Sequence, residues 1–432
     1  MAKSNSNYLV IVLNGDRREV DLSQIKPSTS LLSYLHCHID YKGAKLGCGE
    51  GGCGACVMFL SKYNSDSQKK DGFSISSFLT LLGCIAGCSI ITSEGLGNYR
   101  EGYHAIHKTI AGFHASQCGY CIPRWCMSLY GALHQAEAKG AHELRQGFSN
   151  LSVLEAEKSI AGNLCRCTSY RPIADVCKIF AEEIDLEDLG LNSFWKKKEI
   201  PDPNKLPKYD RTAIQTNPKF CSQKCEESGT PTLNFAYKDE FDGEQCIWIR
   251  PSNLQETLGT LKETAKENVE LNLVVGNTSV GIYKNVRPKV FVDISNIPEL
   301  EIIYRHEFGI EIGVAVTIAN LIEVLEDTND VLNPGKLIYP RNLIFESIAN
   351  HIKKVASGFI RNTGEVLDCF LAETLLGTDA AAGGVPVAFL FLVFSEGFAL
   401  PEDDGELVRA IGVAVGETAV GEGAVGEGHC LF

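Results

Sequence analysis

Seven cysteines stand in two groups within the first 170 residues: Cys48-x4-Cys53-x2-Cys56 in a run of glycines, and Cys118-x2-Cys121 answered by Cys165-x-Cys167. Thiolates are soft ligands, and the first spacing is one that holds a 2Fe–2S cluster. Such a cluster with its thiolates is anionic. Glycines in the segment Gly47 to Gly54 let the backbone take positive φ and bring N–H groups close to sulfur, which moderates the charge and tunes the potential. A zinc loop or a flexible linker are the alternatives; zinc usually takes two cysteine pairs of x2 to x4 spacing, and a linker has no need of three cysteines. The second group offers four thiolates in two tight pairs. By count it could hold zinc, but Cys-x-Cys is tighter than the usual zinc knuckle. One-electron transfer is the chemistry that these residues suit.

Composition narrows the setting. At 432 residues, 44% of them hydrophobic, the chain has material for two to four domains. A net charge of −14 argues against nucleic acid or an anionic membrane as partner. Seventeen cysteines with no apolar run after Met1 are expected to be reduced thiols and metal ligands in the cytoplasm, not a disulfide framework. The longest apolar run, Ala380 to Phe394, contains Gly and Pro and is short for a bilayer span.

The elements that must position the cysteines follow from local pattern. Tyr8 to Leu13 reads as a strand, Asn14-Gly15 as a type I′ turn, and Arg17 to Leu22 as the returning strand. Ser28 to Ser30 caps a helix over Leu31 to Cys37, and Val57 to Leu60 follows the cysteine loop as another strand. From 102 the apolar spacing becomes helical, through Leu129, Leu133, Leu144, Leu151, Leu154, Ile160, Ile173, Val176 and Phe180, with the cysteine pairs on the connections. Residues 186–245 read as a linker, in which Cys221-x3-Cys225 are free thiols. A third region alternates helix (253–268) and strands (271–275, 290–294, 310–316). Beyond Thr363 lysine vanishes and Ala-Val-Gly-Glu recurs at 414, 419 and 424, the composition of a disordered tail.

Within the third region, Leu273, Val274, Val275, Gly276, Asn277, Thr278, Ser279 and Val280 form an apolar strand running into small polar residues, whose amides and hydroxyls suit a pyrophosphate; a plain strand and turn explains it about as well. Taken together, Lys45 to Cys56, Thr92 to Gly97, Ser116 to Cys121, Gly162 to Thr168 and Tyr170-Arg-Pro172 resemble the N-terminal part of the molybdenum hydroxylases, the xanthine dehydrogenase and aldehyde oxidase family, in a plant-like form of the aldehyde oxidases (abscisic-aldehyde or indole-3-acetaldehyde oxidase-like). The resemblance runs from about residue 7 to 363.

That resemblance implies an α+β multidomain chain: a β-grasp, ferredoxin-like 2Fe–2S domain (7–98), a helical-bundle 2Fe–2S domain (102–185), the linker (186–245), an incomplete α+β FAD-binding domain (246–363) and a divergent tail (364–432). Cys118, Cys121, Cys165 and Cys167 would hold one cluster, and Cys48, Cys53 and Cys56 the other. Gln117 and Cys167 would lie beside a molybdopterin carried by a domain absent here. Leu273 to Val280 would contact FAD. Electrons would pass from molybdenum through both clusters to FAD during oxidation of aldehydes to acids, in a homodimer or with a molybdenum-domain partner. The chain departs from the family at Phe78, where the fourth ligand of the first cluster belongs; Cys84 and Cys88 are the next cysteines. Ile122, Arg124 and Trp125 replace Thr, Gly and Met, and Ser169 replaces Gly. No base or substrate pocket for molybdenum chemistry is recognisable. The alternative is a truncated, inactive relative serving as a structural or dimerisation partner.

Overall fold

The computed structural model describes residues 8–64, 69–100, 102–138, 151–181, 233–238, 243–267, 269–281, 287–306, 309–326, 339–354, 356–364, 390–393 and 413–414. Leu144, Cys221, Cys225 and the Ala-Val-Gly-Glu repeats, apart from Ala414, lie outside them. The chain divides into two compact units. The first comprises 1–238 with 280–284 and 356–363, and the second comprises 239–279, 285–355 and 364–432.

In the first unit, β1 (Tyr8–Leu13) and β2 (Asp16–Asp21) form a hairpin whose turn residues Asn14 and Gly15 both have positive φ, 52° and 90°, as a type I′ turn requires. Ser30 caps α1 (Leu31–Tyr34) by accepting from the Ser33 amide. The chain then winds through a wider turn over Leu35–Ile39 and leaves it at Asp40 with φ 65°. β3 (Val57–Asn64), β4 (Lys69–Ser76) and β5 (Ser89–Ile91) complete a five-stranded sheet of order β2-β1-β5-β3-β4, in which only β1 and β5 run parallel.

After a short pair, β6 (Gly97–Asn98) and β7 (Gly102–Tyr103), come α2 (Ala105–Gly112), α3 (Ile122–Ala138), α4 (Val153–Lys158) and α5 (Arg171–Lys178). A capping box of Ser152 and Glu155 starts α4, and Pro172 lies in the first turn of α5. Sheet and helices share one core: Val57, Phe59 and Ile91 pack with Trp125, Leu129, Leu133, Ile173, Val176 and Phe180. Leu154, expected among the core positions, is instead 58% exposed, because the short α4 buries only the side that carries Ala156.

Two segments differ from the sequence reading. Phe235 to Lys238, inside the expected linker, form strand β8, with Phe235 buried as a β-favouring aromatic should be. Residues 356–363, expected with the flavin region, belong to the first unit. Phe359 enters the shared core, the Ser76 amide donates to Thr363 Oγ1 at 3.2 Å, and Asn362 donates to the Ser74 carbonyl at 2.9 Å.

The second unit holds parallel strands in the order β10 (Leu271–Val274), β11 (Val290–Asp293), β9 (Gln245–Ile249), with α6 (Leu254–Glu267) as the crossover from β9 to β10. Trp248 and Phe291, neighbours on β9 and β11, stack at 6.1 Å. Strands β12 (Ile303–His306) and β13 (Gly309–Ile312) form a hairpin that packs with α7 (Ile318–Glu326) and α8 (Tyr339–Ile352). The tail is not wholly without structure. β14 (Leu390–Val393) adds to β13 and carries β15 (Val413–Ala414), because Leu-Phe-Leu-Val is a β-forming sequence despite its surroundings.

Candidate metal centre and flavin segment

The second cysteine group is assembled from two connections. Cys118 and Cys121 lie on the approach to α3, and Cys165 and Cys167 between α4 and α5. Cys118 Sγ and Cys167 Sγ are 3.5 Å apart, and the thiols of Cys121 and Cys165 are also neighbours. Two thiolates on one tetrahedral metal with bonds of roughly 2.3 Å sit about 3.7 Å apart. The group therefore presents two such pairs, each drawing one cysteine from each connection, which fits two irons better than one ion. Among the described residues no three or more His, Cys, Asp or Glu are arranged to hold a single metal ion.

Fixed donors surround these sulfurs. The Tyr120 amide, then the Cys167 thiol, hold Cys118 below the ordinary thiol range. Burial works against the Cys165 thiolate, but the Thr168 hydroxyl, 3.1 Å from its sulfur, and the Thr168 amide bring it below that range. Burial raises Cys121, opposed by the Trp125 indole N–H beside its sulfur. The bond with Cys118 raises Cys167, as the proton is shared within the pair. Tyr170 Oη accepts from the Cys165 amide at 3.0 Å and pins the loop. Ser169 and Tyr170 both lie at positive φ, 53° and 66°. At Ser169 the family's glycine would be at ease.

The first group comes together only in part. Cys48, Cys53 and Cys56 are mutual neighbours on the loop that precedes β3. Amides converge on the sulfurs: Glu50 on Cys48 at 3.3 Å and Ala55 on Cys53 at 3.4 Å. Burial disfavours the Cys48 thiolate, yet amides of Cys53, Glu50 and Gly52 outweigh it and hold the thiol low. Burial pushes Cys56 up, against the Ser76 hydroxyl at 3.3 Å. Gly54 is required as glycine. Its φ is 71°, and a Cβ there would lie 2.5 Å from Asn163 Oδ1.

Phe78 does reach this group, but with its backbone: its N–H lies near Cys56 Sγ and acts to lower that thiol. The position holds a donor where a fourth thiolate would be needed, so three cysteines alone do not fit a four-thiolate cluster. Cys88 is no substitute. It immediately precedes Ser89, which pairs with Ser61 on β3, five residues beyond Cys56. At roughly 3.3 Å per residue the two cysteines are about 17 Å or more apart along the sheet. Cys84 lies on a tight turn over Leu82–Ile85, followed by core residues.

The two groups meet chiefly at the Cys53 carbonyl. That oxygen accepts from the Leu164 amide at 3.1 Å and from Arg124 Nη1 at 2.9 Å. Tyr120 Oη also donates to the Leu46 carbonyl at 3.3 Å. Sequence reasoning noted Arg124 and Trp125 only as departures; nothing in their spacing disclosed these contacts. Gln117 is exposed and Cys167 half-buried, on the same edge as Cys118.

The flavin segment leaves the carboxyl end of parallel strand β10, the edge of an α/β sheet where ligands sit. Leu273 is half-buried, Val274 to Asn277 are buried, and Thr278 is partly exposed on a turn over Thr278–Gly281. Asn277 takes φ 54°, which turns the backbone amides after the strand. Leu273 to Ser279 belong to the second unit and the exposed Val280 to the first. At Gly281 a Cβ would fall 2.5 Å from the Glu50 carbonyl of the first cysteine loop. A feature missed from sequence lies at the ends of β9 and β11. There Arg250 and Asp293, 2% and 0% exposed, form a buried ion pair at 2.6 Å, and Asp293 also accepts from Ser295.

Comparison with known proteins assigns these two regions to an iron–sulfur domain and a flavin domain. Residues 92–178 match the 2Fe-2S binding domain, and residues 239–366 the FAD binding domain in molybdopterin dehydrogenase. The chain is 43% identical over 362 residues to probable aldehyde oxidase 4 of Oryza sativa subsp. japonica, covering 83% of this chain and 42% of that protein. It is 44% identical over 371 residues to an indole-3-acetaldehyde oxidase of Arabidopsis thaliana (84% and 25%), and 44% over 363 residues to the abscisic-aldehyde oxidase of the same plant (83% and 25%). The chain belongs to the molybdenum hydroxylase family, with molybdopterin a property of the family's other domains. It spans between a quarter and about two fifths of the length of these relatives.

Proposed function

We propose that this chain is the electron-transfer portion of an aldehyde oxidase-type molybdenum hydroxylase, working in the cytoplasm. The observation that carries the reading is the convergence of Cys118, Cys121, Cys165 and Cys167 as two thiol pairs inside the 2Fe–2S binding domain. Cys165 and Cys121 form the buried side of the centre and keep water from it, while Cys118 and Cys167 face the edge that carries Gln117. A pterin held by a molybdenum-bearing domain would lie beside that edge. A cluster bound there supplies a one-electron relay, and FAD an acceptor for the electrons. Thr168 and the Tyr120 amide stabilise the thiolate form that iron requires. Leu273 to Val280 bind the flavin phosphates through the amides that follow β10. The substrate class is the aldehydes of the plant relatives, and the assembly is a homodimer or a complex with a molybdenum-bearing domain. The first domain is a β-grasp, as its sheet order and the helix after the hairpin support.

The test is iron, sulfide and flavin content of the full chain purified and reconstituted without oxygen. About two irons and two sulfides per chain are expected from the helical domain, with bound FAD and an EPR signal on reduction. Substituting Cys165→Ser should abolish that signal. Zinc without inorganic sulfide overturns the reading. One observation, Phe78 in place of a ligand, favours a second reading, a non-catalytic structural relative. About two irons with no flavin uptake would support it.

A further inference from the structure

Arg124 stands in the first turn of α3 and is 4% exposed. Its Nη1 donates to the Cys53 carbonyl in the first cysteine loop, and its Nε has no hydrogen-bond partner. Its guanidinium lies 5.9 Å from the Trp125 ring centroid. Among the described residues no carboxylate forms an ion pair with it. A guanidinium cannot shed its proton, so burial without an anion is costly. Negative charge is to hand only in the sulfurs: Cys53 belongs to one group, and Cys121, on which the same cation acts favourably, to the other.

We propose that Arg124 is a charge-compensating and positioning residue. Its buried cation offsets the negative charge of the loaded thiolate centre, raises the reduction potential at Cys118, Cys121, Cys165 and Cys167, and ties that centre to the first cysteine loop. The inference rests on the cluster reading above. Reduction adds an electron to an anionic centre, and a fixed cation in a low-dielectric setting favours the reduced form more than the oxidised one. Trp125 shields this cation from water on one side.

The test is an EPR-monitored redox titration of the full chain, reconstituted without oxygen, in the wild type, R124Q and R124K. For R124Q, the reduced-to-oxidised ratio at the wild-type midpoint should fall about tenfold, a shift of about 59 mV for a one-electron couple. R124K, which keeps the charge, should titrate close to the wild type. An unmoved R124Q, or an R124K displaced as far as R124Q, overturns the proposal. If R124Q takes up no iron, R124K decides, since it must load and titrate like the wild type; failure in either respect overturns the charge role. Iron and sulfide in the wild type separate the two levels. A wild type without sulfide removes the cluster reading and this inference with it, whereas a loaded wild type with unmoved variants removes the inference alone.

Discussion

The two cysteine groups use the same side chain and the same device, backbone amides aimed at sulfur, yet they differ in how they are completed. The helical group draws two cysteines from each of two connections, and every position is filled. The sheet group places three on one continuous loop and depends for its fourth on a separate turn after β4, where Phe78 offers only its amide. A ligand set split between loops is complete only if both loops keep their chemistry. If the fourth ligand belongs at position 78, as the resemblance implies, one substitution is enough to disable a site whose glycines and remaining cysteines are intact.

Phe78→Cys is the most direct challenge to that contrast. If the turn is where the fourth ligand belongs, the variant should rise from about two irons per chain to about four and show a second EPR signal. An unchanged iron content removes the ligand assignment.

Acid should act on the helical side through His104. This residue caps α2 by accepting from the Ile106 amide on Nδ1, and burial, aided by His107 and Lys108, holds it down to about 4. The folded-state value lies below the unfolded value, so its contribution is present above about pH 6.5 and is lost as pH falls toward 4. The loss is on the order of 3 kcal/mol. His104→Asn keeps a capping acceptor without the titration, and urea unfolding between pH 7 and 4 should show a flatter acid limb in that variant. An identical limb would shift the cause to other groups.

Gly54→Ala should cost on the order of 2 kcal/mol, since φ is 71° and the new Cβ meets Asn163, itself held by donating to Ser128 at 2.8 Å. Denaturant midpoints measure it. A neutral result would mean that the two cysteine loops are not closely locked. The smallest effect is expected at Ser169→Gly in the complete site. Releasing a non-glycine residue from φ 53° should stabilise the chain by about 1 kcal/mol, with iron content unchanged. Destabilisation would show that Ser169 has an unrecognised contact.

Much of the candidate site was readable from spacing. The cysteine motifs, the I′ turn at Asn14-Gly15, and the strand that leads into Gly276 and Asn277 are local signals, each written within a few residues. Leu154 misled because helical spacing marks a face without saying how much of a short helix will be covered. The tail strand at 390–393 was masked by the composition around it, and β8 by the polar stretch before it. Arg250 and Asp293, 43 residues apart, meet only because β9 and β11 are adjacent in the sheet.

Residue type and short-range order by themselves determined which atoms can ligate iron and where the chain must turn, because ligand chemistry and backbone φ are properties of a few neighbouring residues. The family membership follows from that same order. Only the tertiary structure decided that Cys118 pairs with Cys167, that Phe78 brings an amide to Cys56, and that Arg124 reaches the carbonyl of Cys53. Those contacts join residues 22 to 71 positions apart, and a shared core, not any local preference, sets the distances between them.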